Sequence, residues 1–381
     1  MARIMERQYP DVHVVRVEGD PYEMGKQHGE QLAGLVHEAA HSKNSSLGTH
    51  VGGLTKEKLA HLIEKHRMIT ERIRPELFEE LKGVADGAGV DYVKAVEMFL
   101  ARELPYGFPE SKDTVTCASE ECTAWGAAGE ATIGMDPMLA QNRDCPYTSG
   151  MYRVIIVARP MTGHSFVVTG RVGSNDGYGI NKKGLAIMAP AVRPSDSIDA
   201  CEKERPPGIQ SYTLARMILQ KCTSVEEAID LIQSTPPGYM GLNWLVVDRD
   251  KHLARIERSY SALKVTYPEE AEYPTNKVIA ATNHYPSRAM SALAPPSNSA
   301  SSKKRYDRIA TLMASNAGRI NFNMFLEFAR DHINGPGDLS ICNHGEEFGT
   351  NLSMIAQCNQ SRLWVLRGSP CLNQYVPYDC P

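Results

Sequence analysis

Cys122 and Asp144 have the residue types and surroundings of a nucleophile and its supporting acid. Cys122 starts a short run that continues through Trp125, and Asp144 lies in the polar cluster that ends a second run, Met138–Asn142. Both runs are typical of β-strands. If the two strands pair as a hairpin, we expect Asp144 to return close to Cys122.

The chemistry that suits this arrangement is attack of the Cys122 sulfur on a carbonyl carbon. A thiol is a good nucleophile only as a thiolate, and a free cysteine is mostly protonated at neutral pH. Cleavage of the chain between Glu121 and Cys122 would expose the α-amine of Cys122. Its ordinary pKa of about 7.7–8.0 makes that amine a base within reach of its own sulfur. Asp144 and Arg143 are suited to orient the amine and to tune its pKa.

Alternating helical and β-rich segments must position these residues. Helical spacing of apolar residues runs from the N-terminus to about residue 100, with Gly87 and Gly89 ending the third helix, and a β-rich pattern starts near residue 115. Helices near 210–234 and 303–331 then alternate with strands near 242–282 and 352–367. Such runs of strands between runs of helices indicate stacked layers, with sheets between helices. We interpret the Pro-, Ser- and Ala-rich segment 286–302 as a surface loop, and Lys303–Arg305 as a solvated helix start.

Composition excludes several classes of protein. The 381 residues are 42% hydrophobic, with a formal net charge of -4, which gives no electrostatic reason to expect nucleic acid or a membrane as partner. No apolar run reaches the roughly 18–20 residues of a membrane helix, and the N-terminus does not resemble a secretion signal, so we expect a cytoplasmic protein. Nine cysteines, an odd number, indicate free thiols. Since no second cysteine pair has zinc-like spacing, we expect no metal and no cofactor.

Six short blocks, spread over most of the chain, carry a resemblance to a known family. They are Gly19–Gly29, Pro75–Gly89, Cys122-Thr123 with Gln141–Asp144, Asn181–Leu185, Thr282–His284 and Ser340–Cys342. In this order they resemble the acyl-coenzyme A:6-aminopenicillanic acid acyltransferases and their autoproteolytic hydrolase relatives, a family of N-terminal-nucleophile enzymes.

The resemblance implies an α+β protein with the four-layer αββα fold of N-terminal-nucleophile hydrolases. It also implies a precursor, or zymogen, that cleaves itself between Glu121 and Cys122. Residues 1–121 would be a helical N-terminal segment and residues 122–381 the αββα catalytic segment, together one domain whose two chains stay associated. By the same resemblance Cys122 matches the nucleophile, Asp144 the acid that supports the new amine, and Asn283 the side chain that stabilises the oxyanion. Glu121 stands where the penicillin acyltransferase has glycine.

The activity that follows is hydrolysis of a small N-acyl amide through an acyl-enzyme. We prefer it to a penicillin substrate because an arginine near the C-terminal strands of the penicillin enzyme has no evident counterpart, and Phe348 or a neighbour falls there. A second interpretation is an acyltransferase that moves an acyl group from a coenzyme A thioester or an amide to an amine. A third is an unprocessed, non-catalytic ligand-binding member of the family. The oligomeric state, including a homo-oligomer, is left open.

Six further residues are candidates for substrate binding or support. Three of them have a plainer interpretation: a surface ion pair for Arg143, a buried ion pair for Glu257, and core packing for Tyr178. A cysteine–histidine pair with Cys122 is an alternative role for His284. The candidates are Thr123, Arg143, Tyr178, Glu257, His284 and His344, the last as a pocket-lining residue.

Overall fold

The computed structural model of the protein describes residues 12–41, 56–107, 121–147, 152–271, 277–293, 299–346 and 348–381. Within these ranges the α-helices are α1 Pro21–Gln31, α2 Ala33–His41, α3 Lys56–Ile73, α4 Glu76–Ala88, α5 Tyr92–Leu100, α6 Ser195–Glu202, α7 Ser211–Lys221, α8 Val225–Ser234, α9 Arg288–Ser291, α10 Ser299–Asn316 and α11 Phe322–Ala329. The strands are β1 His13–Gly19, β2 Glu121–Ala127, β3 Met138–Pro146, β4 Arg153–Pro160, β5 Phe166–Arg171, β6 Gly177–Asn181, β7 Ala186–Met188, β8 Ala191–Val192, β9 Gly241–Val247, β10 Leu253–Arg258, β11 Leu263–Thr266, β12 Val278–Ala281, β13 Phe348–Gln357, β14 Arg362–Arg367 and β15 Val376–Asp379.

The strands of the described ranges form two sheets. The large sheet has the order β1-β4-β5-β6-β7-β9-β10-β11, with β8 also paired to β9. The small sheet has the order β12-β2-β3-β13-β14-β15. Every pairing is antiparallel except that of β1 with β4. The strands that carry the predicted nucleophile and acid lie near the centre of the small sheet.

The two sheets pack face to face and helices cover both outer faces. Across the interface β2 and β3 of the small sheet contact β9 of the large sheet, and β10 contacts β12. Helices α7 and α8 pack on the large sheet, and α10 and α11 pack on the small one. The predicted four-layer αββα architecture is therefore confirmed. It buries apolar side chains in the sheet-to-sheet layer and, separately, between the small sheet and its helices.

The N-terminal segment begins with a strand, where the sequence analysis predicts only helices. In β1, Val15 and Val17 are buried and alternate with exposed neighbours, which is the two-residue period of a strand. β1 lies parallel to β4, from His13 opposite Val154 to Gly19 opposite Pro160. The prediction of a purely helical segment is wrong here, because an edge strand with two inward residues gives a weak pattern.

Helices α1 and α4 approach each other closely enough for their backbones to touch. At Gly25 and Gly29 of α1, an added Cβ would lie 1.9 and 2.4 Å from carbonyl oxygens of α4. At Gly83 and Gly87 of α4, it would lie 2.1 and 2.2 Å from carbonyl oxygens of α1. Gly87 therefore serves packing inside α4, and only Gly89, with φ of 69°, ends the helix. The prediction that Gly87 also ends it is wrong.

The segment predicted as a surface loop, 286–302, contains helix. Arg288–Ser291 forms α9 and α10 begins at Ser299, while residues 294–298 lie outside the described residues. The first turn of α10 therefore reaches residues that the sequence analysis places in a loop. No helix among the described residues is long and apolar enough to cross a membrane.

Candidate active site around Cys122

The β2–β3 hairpin brings the predicted nucleophile and acid together. β2 and β3 pair antiparallel, with Cys122 opposite Arg143 and Glu121 opposite Asp144. The predicted hairpin is confirmed. Cys122 is 1% exposed and Asp144 is fully buried. The two residues thus lie in adjacent residue pairs of the β2–β3 hairpin, in the protein interior.

Asn283 binds the backbone nitrogen of Cys122. It follows β12, which pairs with β2, and its Oδ1 accepts a hydrogen bond from Cys122 N at 2.6 Å. Its Nδ2 donates to the carbonyl of Ala191 at 2.8 Å. The amide oxygen is assigned to the Cys122 side because two groups there, Cys122 N and Arg305 Nη2, are donors and require an acceptor. In a cleaved chain the same Oδ1 would accept a hydrogen bond from the α-amine of Cys122.

Arg305 is the functional candidate that the sequence analysis missed. It lies on α10, is fully buried, and donates through Nη1 to the Cys122 carbonyl at 2.6 Å and to Thr123 Oγ1 at 3.0 Å. Its Nη2 donates to Asn283 Oδ1 at 3.1 Å. The interpretation of Lys303–Arg305 as a solvated helix start holds for the two exposed lysines and is wrong for Arg305.

The side chain of Glu121 binds the same guanidinium from the other side of the peptide bond. Arg305 Nη2 lies 3.0 Å from Glu121 Oε2, and Ser301 Oγ donates to that oxygen at 2.8 Å. Arg305 Nε in turn donates to Ser301 Oγ at 3.2 Å. The residue before the predicted cleavage point is therefore held in place by an ion pair and a hydroxyl.

Asp144 occupies an environment that favours its protonated form. Desolvation by burial, with a smaller contribution from the charge of Glu121, raises the pKa of its carboxyl to about 7. The charge of Arg305 and the hydrogen bond from Thr350 act in the opposite direction. Thr350 Oγ1 donates to Asp144 Oδ1 at 2.6 Å. A new positive charge at Cys122 N would lower this pKa, since an opposite charge nearby favours the ionised form.

Arg143 and Tyr178 meet in the interior. Arg143 is 2% exposed, and its guanidinium carbon lies 5.4 Å from the ring centroid of Tyr212 and 5.7 Å from that of Tyr178. The two tyrosine rings stack at 4.6 Å, and Trp244 contacts Tyr178 edge-on at 5.8 Å. The alternative of a surface ion pair for Arg143 is wrong. Its cation lies against aromatic faces contributed from the large sheet and α7.

His284 faces hydroxyl groups through Nδ1. That nitrogen lies 2.8 Å from Ser302 Oγ and 3.2 Å from Thr282 Oγ1. Burial lowers the pKa of His284 to about 4, with Lys303 and Arg305 contributing, so the ring is neutral at pH 7. His284 thereby connects the end of β12 to the first turn of α10. Arg305 lies on the same helix.

The last two candidates lie in clusters of their own. Glu257 is fully buried, lies 3.6 Å from the Arg255 guanidinium and accepts from Ser287 N at 3.0 Å, so it belongs to a buried ion pair. His344 Nε2 lies within 3.3 Å of the sulfurs of Cys342 and Cys371.

A signal for Arg305 is present in the sequence. Buried residues of α10 recur at helical spacing: Ser302, Arg305, Ile309 and Met313. A basic residue on the apolar stripe of a helix points inward with the rest of that stripe. Reading Arg305 by this spacing, rather than as part of the run Lys303–Arg305, places it in the protein interior.

Comparison with known proteins identifies relatives. A family model described as acyl-coenzyme A:6-aminopenicillanic acid acyl-transferase matches residues 132–371, more than half of the chain. The match includes Asp144, Asn283 and Arg305, and begins after Cys122. An uncharacterized protein of Archaeoglobus fulgidus is 25% identical over 321 residues, which is 72% of this chain and 50% of that protein. The chain thus spans about half the length of this curated relative.

Solved structures with partial similarity include a bile acid hydrolase and a penicillin V acylase. A variant of the conjugated bile acid hydrolase from Clostridium perfringens has a TM-score of 0.45 at 13% identity, covering 68% of this chain and 92% of that one. Penicillin V acylase from Agrobacterium tumefaciens has a TM-score of 0.37 at 13% identity, covering 65% and 83%.

Proposed function

Because the chain belongs to the acyl-coenzyme A:6-aminopenicillanic acid acyl-transferase family, we propose that it is an amide-bond enzyme with Cys122 as N-terminal nucleophile. The observation that carries this proposal is the 2.6 Å hydrogen bond between Cys122 N and Asn283 Oδ1, next to the buried Asp144. In a cleaved chain this nitrogen is the α-amine. Asn283 and Asp144 are then placed to orient it toward its own sulfur.

Self-cleavage would proceed by an acyl shift. The Cys122 sulfur attacks the carbonyl carbon of Glu121, a C–S bond forms, and the C–N bond of the peptide breaks. The thiol proton passes to the departing nitrogen, and water then hydrolyses the thioester to give the Glu121 carboxylate and a free thiol. Arg305 supports this step because it binds the Glu121 side chain and the Cys122 carbonyl at once. The scissile peptide is thereby held on both sides.

Turnover would reuse the same atoms. The neutral α-amine takes the thiol proton, the sulfur attacks a substrate carbonyl, and the amine of the substrate leaves with a proton. The oxyanion role would fall to the Nδ2 amide group of Asn283, which also donates to the carbonyl of Ala191. A donor of this kind contributes about 3–4 kcal/mol to a transition state. Water then releases the acyl group.

The substrate class we propose is a small N-acyl amide, with hydrolysis as the reaction. Transfer to an amine, from an amide or a coenzyme A thioester, is the second candidate, because the family description itself names an acyl-transferase. Both reactions share the acyl-enzyme and differ only in whether water or an amine resolves it.

The first test is the mass of the purified chain under denaturing conditions, beside a Cys122→Ala variant. We expect wild type to give two chains of about 13 and 29 kDa, split between Glu121 and Cys122, and the variant to give one. A wild-type chain that stays whole under all conditions contradicts the α-amine mechanism and favours a non-catalytic ligand-binding protein.

The second test separates hydrolysis from transfer. Cleaved wild type is incubated with N-acyl amides, and release of primary amine is followed, with Cys122→Ala as control. Parallel reactions contain acyl-coenzyme A, with and without an added amine, and free coenzyme A thiol is measured. Amine release in water alone supports the hydrolase, and thiol release that depends on the added amine supports the transferase.

A further inference from the structure

Four side chains that could bind a metal ion, two imidazoles and two thiols, meet near the C-terminal end of the small sheet. His332 follows α11, Cys342 and His344 lie in the loop before β13, and Cys371 follows β14. Their donor atoms all lie within 4.8 Å of one another. His344 Nε2 lies 3.3 Å from Cys342 Sγ and 3.2 Å from Cys371 Sγ, and the two sulfurs are 3.9 Å apart.

These distances have the size of a zinc coordination sphere. Zn–S near 2.3 Å and Zn–N near 2.0–2.1 Å in a tetrahedron place two sulfurs about 3.8 Å apart, and a sulfur and a nitrogen about 3.5 Å apart. A disulfide requires about 2.05 Å between sulfurs. The 3.9 Å between Cys342 and Cys371 fits two thiolates on one ion.

The surroundings orient the ligands. Ser369 Oγ donates to the carbonyl of Thr350 at 3.4 Å and lies 3.4 Å from His344 Nδ1, so its oxygen can accept the Nδ1 proton of a ring whose Nε2 binds a metal. The rings of His332 and His344 stack at 5.0 Å. His332 Nε2 is buried and has no hydrogen-bond partner within the described part of the chain. Its position within 4.8 Å of the donor atoms of Cys342, His344 and Cys371 suits a fourth metal ligand.

We propose that His332, Cys342, His344 and Cys371 bind one Zn²⁺ in a closed tetrahedral site. Two thiols lose their protons to solvent on binding, no electron is transferred, and the two thiolates balance the charge of the ion. All four positions are filled by protein, as in structural rather than catalytic zinc sites. The ligands come from three separate segments, so their spacing does not form a recognisable sequence motif.

The site has a direct structural connection to the proposed active site. Asn343, between two of the ligands, donates from its backbone N to Thr350 Oγ1 at 2.9 Å, and accepts from Thr350 N at 2.9 Å. Thr350 Oγ1 then donates to Asp144. Zinc would therefore fix the loop that positions the hydrogen-bond partner of Asp144. The proposal concerns metal binding alone and stands whether or not Cys122 is a nucleophile.

The test is metal content of the full chain, purified without chelators and measured by plasma mass spectrometry. We expect one zinc per chain in wild type and in Cys122→Ala. Cys342→Ser and Cys371→Ser should each lose most of it. Cys222→Ser, which changes a buried cysteine outside the group, is the matched control and should retain it.

A measurement on unmutated protein guards against variants that fail to fold. Wild type is stripped by dialysis against a chelator and refilled with Co²⁺. Thiolate-to-cobalt charge-transfer bands, with the intense visible bands of tetrahedral cobalt, support the proposal, and their absence overturns it.

Two other results would overturn it. One is metal-free wild type that is two hydrogens lighter than its reduced form, with Cys342 and Cys371 joined as a disulfide. The other is zinc that persists in Cys371→Ser and is lost in Asp248→Asn. That result would assign the metal to the separate group of Glu226, Asp248 and His252.

Discussion

One guanidinium, that of Arg305, contacts groups on both sides of the Glu121–Cys122 peptide bond. It is fully buried and donates to the carbonyl of Cys122, to the carboxylate of Glu121 and to the amide oxygen of Asn283. Arginine suits this task because its fixed fork of donors can serve several acceptors at once. Glutamate before the proposed nucleophile is therefore compatible with an ordered peptide at the proposed cleavage point, because its side chain is anchored to Arg305.

Arg305→Ala should slow self-cleavage. The variant removes several charge-assisted hydrogen bonds, each worth about 1.5–3 kcal/mol, so loss of even one at the transition state corresponds to slowing of about tenfold or more. The measurement is the fraction of cleaved chain against time after synthesis, by denaturing electrophoresis.

Lys304→Ala is the matched control for this prediction. Lys304 neighbours Arg305 on α10 and is exposed, so its loss should leave cleavage unchanged. Arg305→Lys keeps the charge without the fork and should fall between the two. Cleavage of Arg305→Ala at the wild-type rate, in folded protein, would contradict the role of the guanidinium.

Asp144 should make the uncleaved protein less stable as the pH rises. Its pKa is raised to about 7, chiefly by burial. A group whose folded pKa lies above its unfolded value contributes stability below the unfolded pKa and loses it as pH rises through the folded pKa. In Cys122→Ala, we expect the free energy of unfolding to fall between pH 4 and pH 8 by on the order of a few kcal/mol on this account.

Urea unfolding of Cys122→Ala and of the double variant with Asp144→Asn, across that pH range, checks the prediction. The amide does not ionise, so the double variant should show a weaker decline, and all other groups are common to both. Parallel curves would show that Asp144 does not titrate in this range.

At the scale of elements, the hairpin of β2 and β3 could be predicted from the sequence, whereas the contacts of Arg305 could not. The hairpin partners are close in the chain and have strand patterns. Arg305 contacts a residue 183 positions away, because α10 packs on the small sheet. Local spacing could show only that Arg305 shares a helix stripe with Ile309, and not which strand that stripe covers.

The contact of α1 with α4 should tolerate no side chain at its glycines. Gly83→Ala places a Cβ 2.1 Å from a backbone carbonyl oxygen, so the helices must separate. We expect a loss of about 1–3 kcal/mol or more in the free energy of unfolding. Gly34→Ala in α2 is the control, since nothing lies within 4 Å there, and it should stabilise by about 0.5–1 kcal/mol.

Urea denaturation of both variants measures the difference. The close packing of α1 on α4 also holds His28, which α1 carries, in position. His28 Nε2 accepts a hydrogen bond from Gly173 N at 2.9 Å, and Nδ1 donates to Asn175 Oδ1 at 2.9 Å. This arrangement requires a neutral ring, in agreement with a pKa lowered by burial to about 4. Equal stability of the two glycine variants would contradict backbone-to-backbone contact.

At the scale of the whole molecule, the alternation of helices and strands along the sequence predicts the layers. It does not predict which residues from different segments meet in the folded structure. The αββα order follows from which segments are helical and which are extended. The cluster of His332, Cys342, His344 and Cys371 does not, because three segments join only where α11, β13 and β14 meet. Residue spacing within one segment carries no information about such a junction.

The two chains produced by cleavage should remain one particle. The N-terminal chain contributes β1, which is hydrogen-bonded along β4, and its helices share the main apolar core. It also contributes Arg74, whose guanidinium lies 2.8 Å from the buried carboxylate of Asp176. Removal of this chain would leave a buried charge without its partner, which costs about 3–5 kcal/mol, in addition to the exposed apolar surface.

Size-exclusion chromatography of cleaved protein, with each fraction analysed under denaturing conditions, measures this association. We expect both chains in one peak in native buffer, at the position of uncleaved Cys122→Ala, and separate peaks only in denaturant. Because the pairing of β1 with β4 and the core contacts join residues from both sides of the cut, urea should unfold the two chains in a single transition. Dissociation of the N-terminal chain on dilution in native buffer would contradict the shared core, and would mean that residues 122–381 stay folded without helices α1–α5.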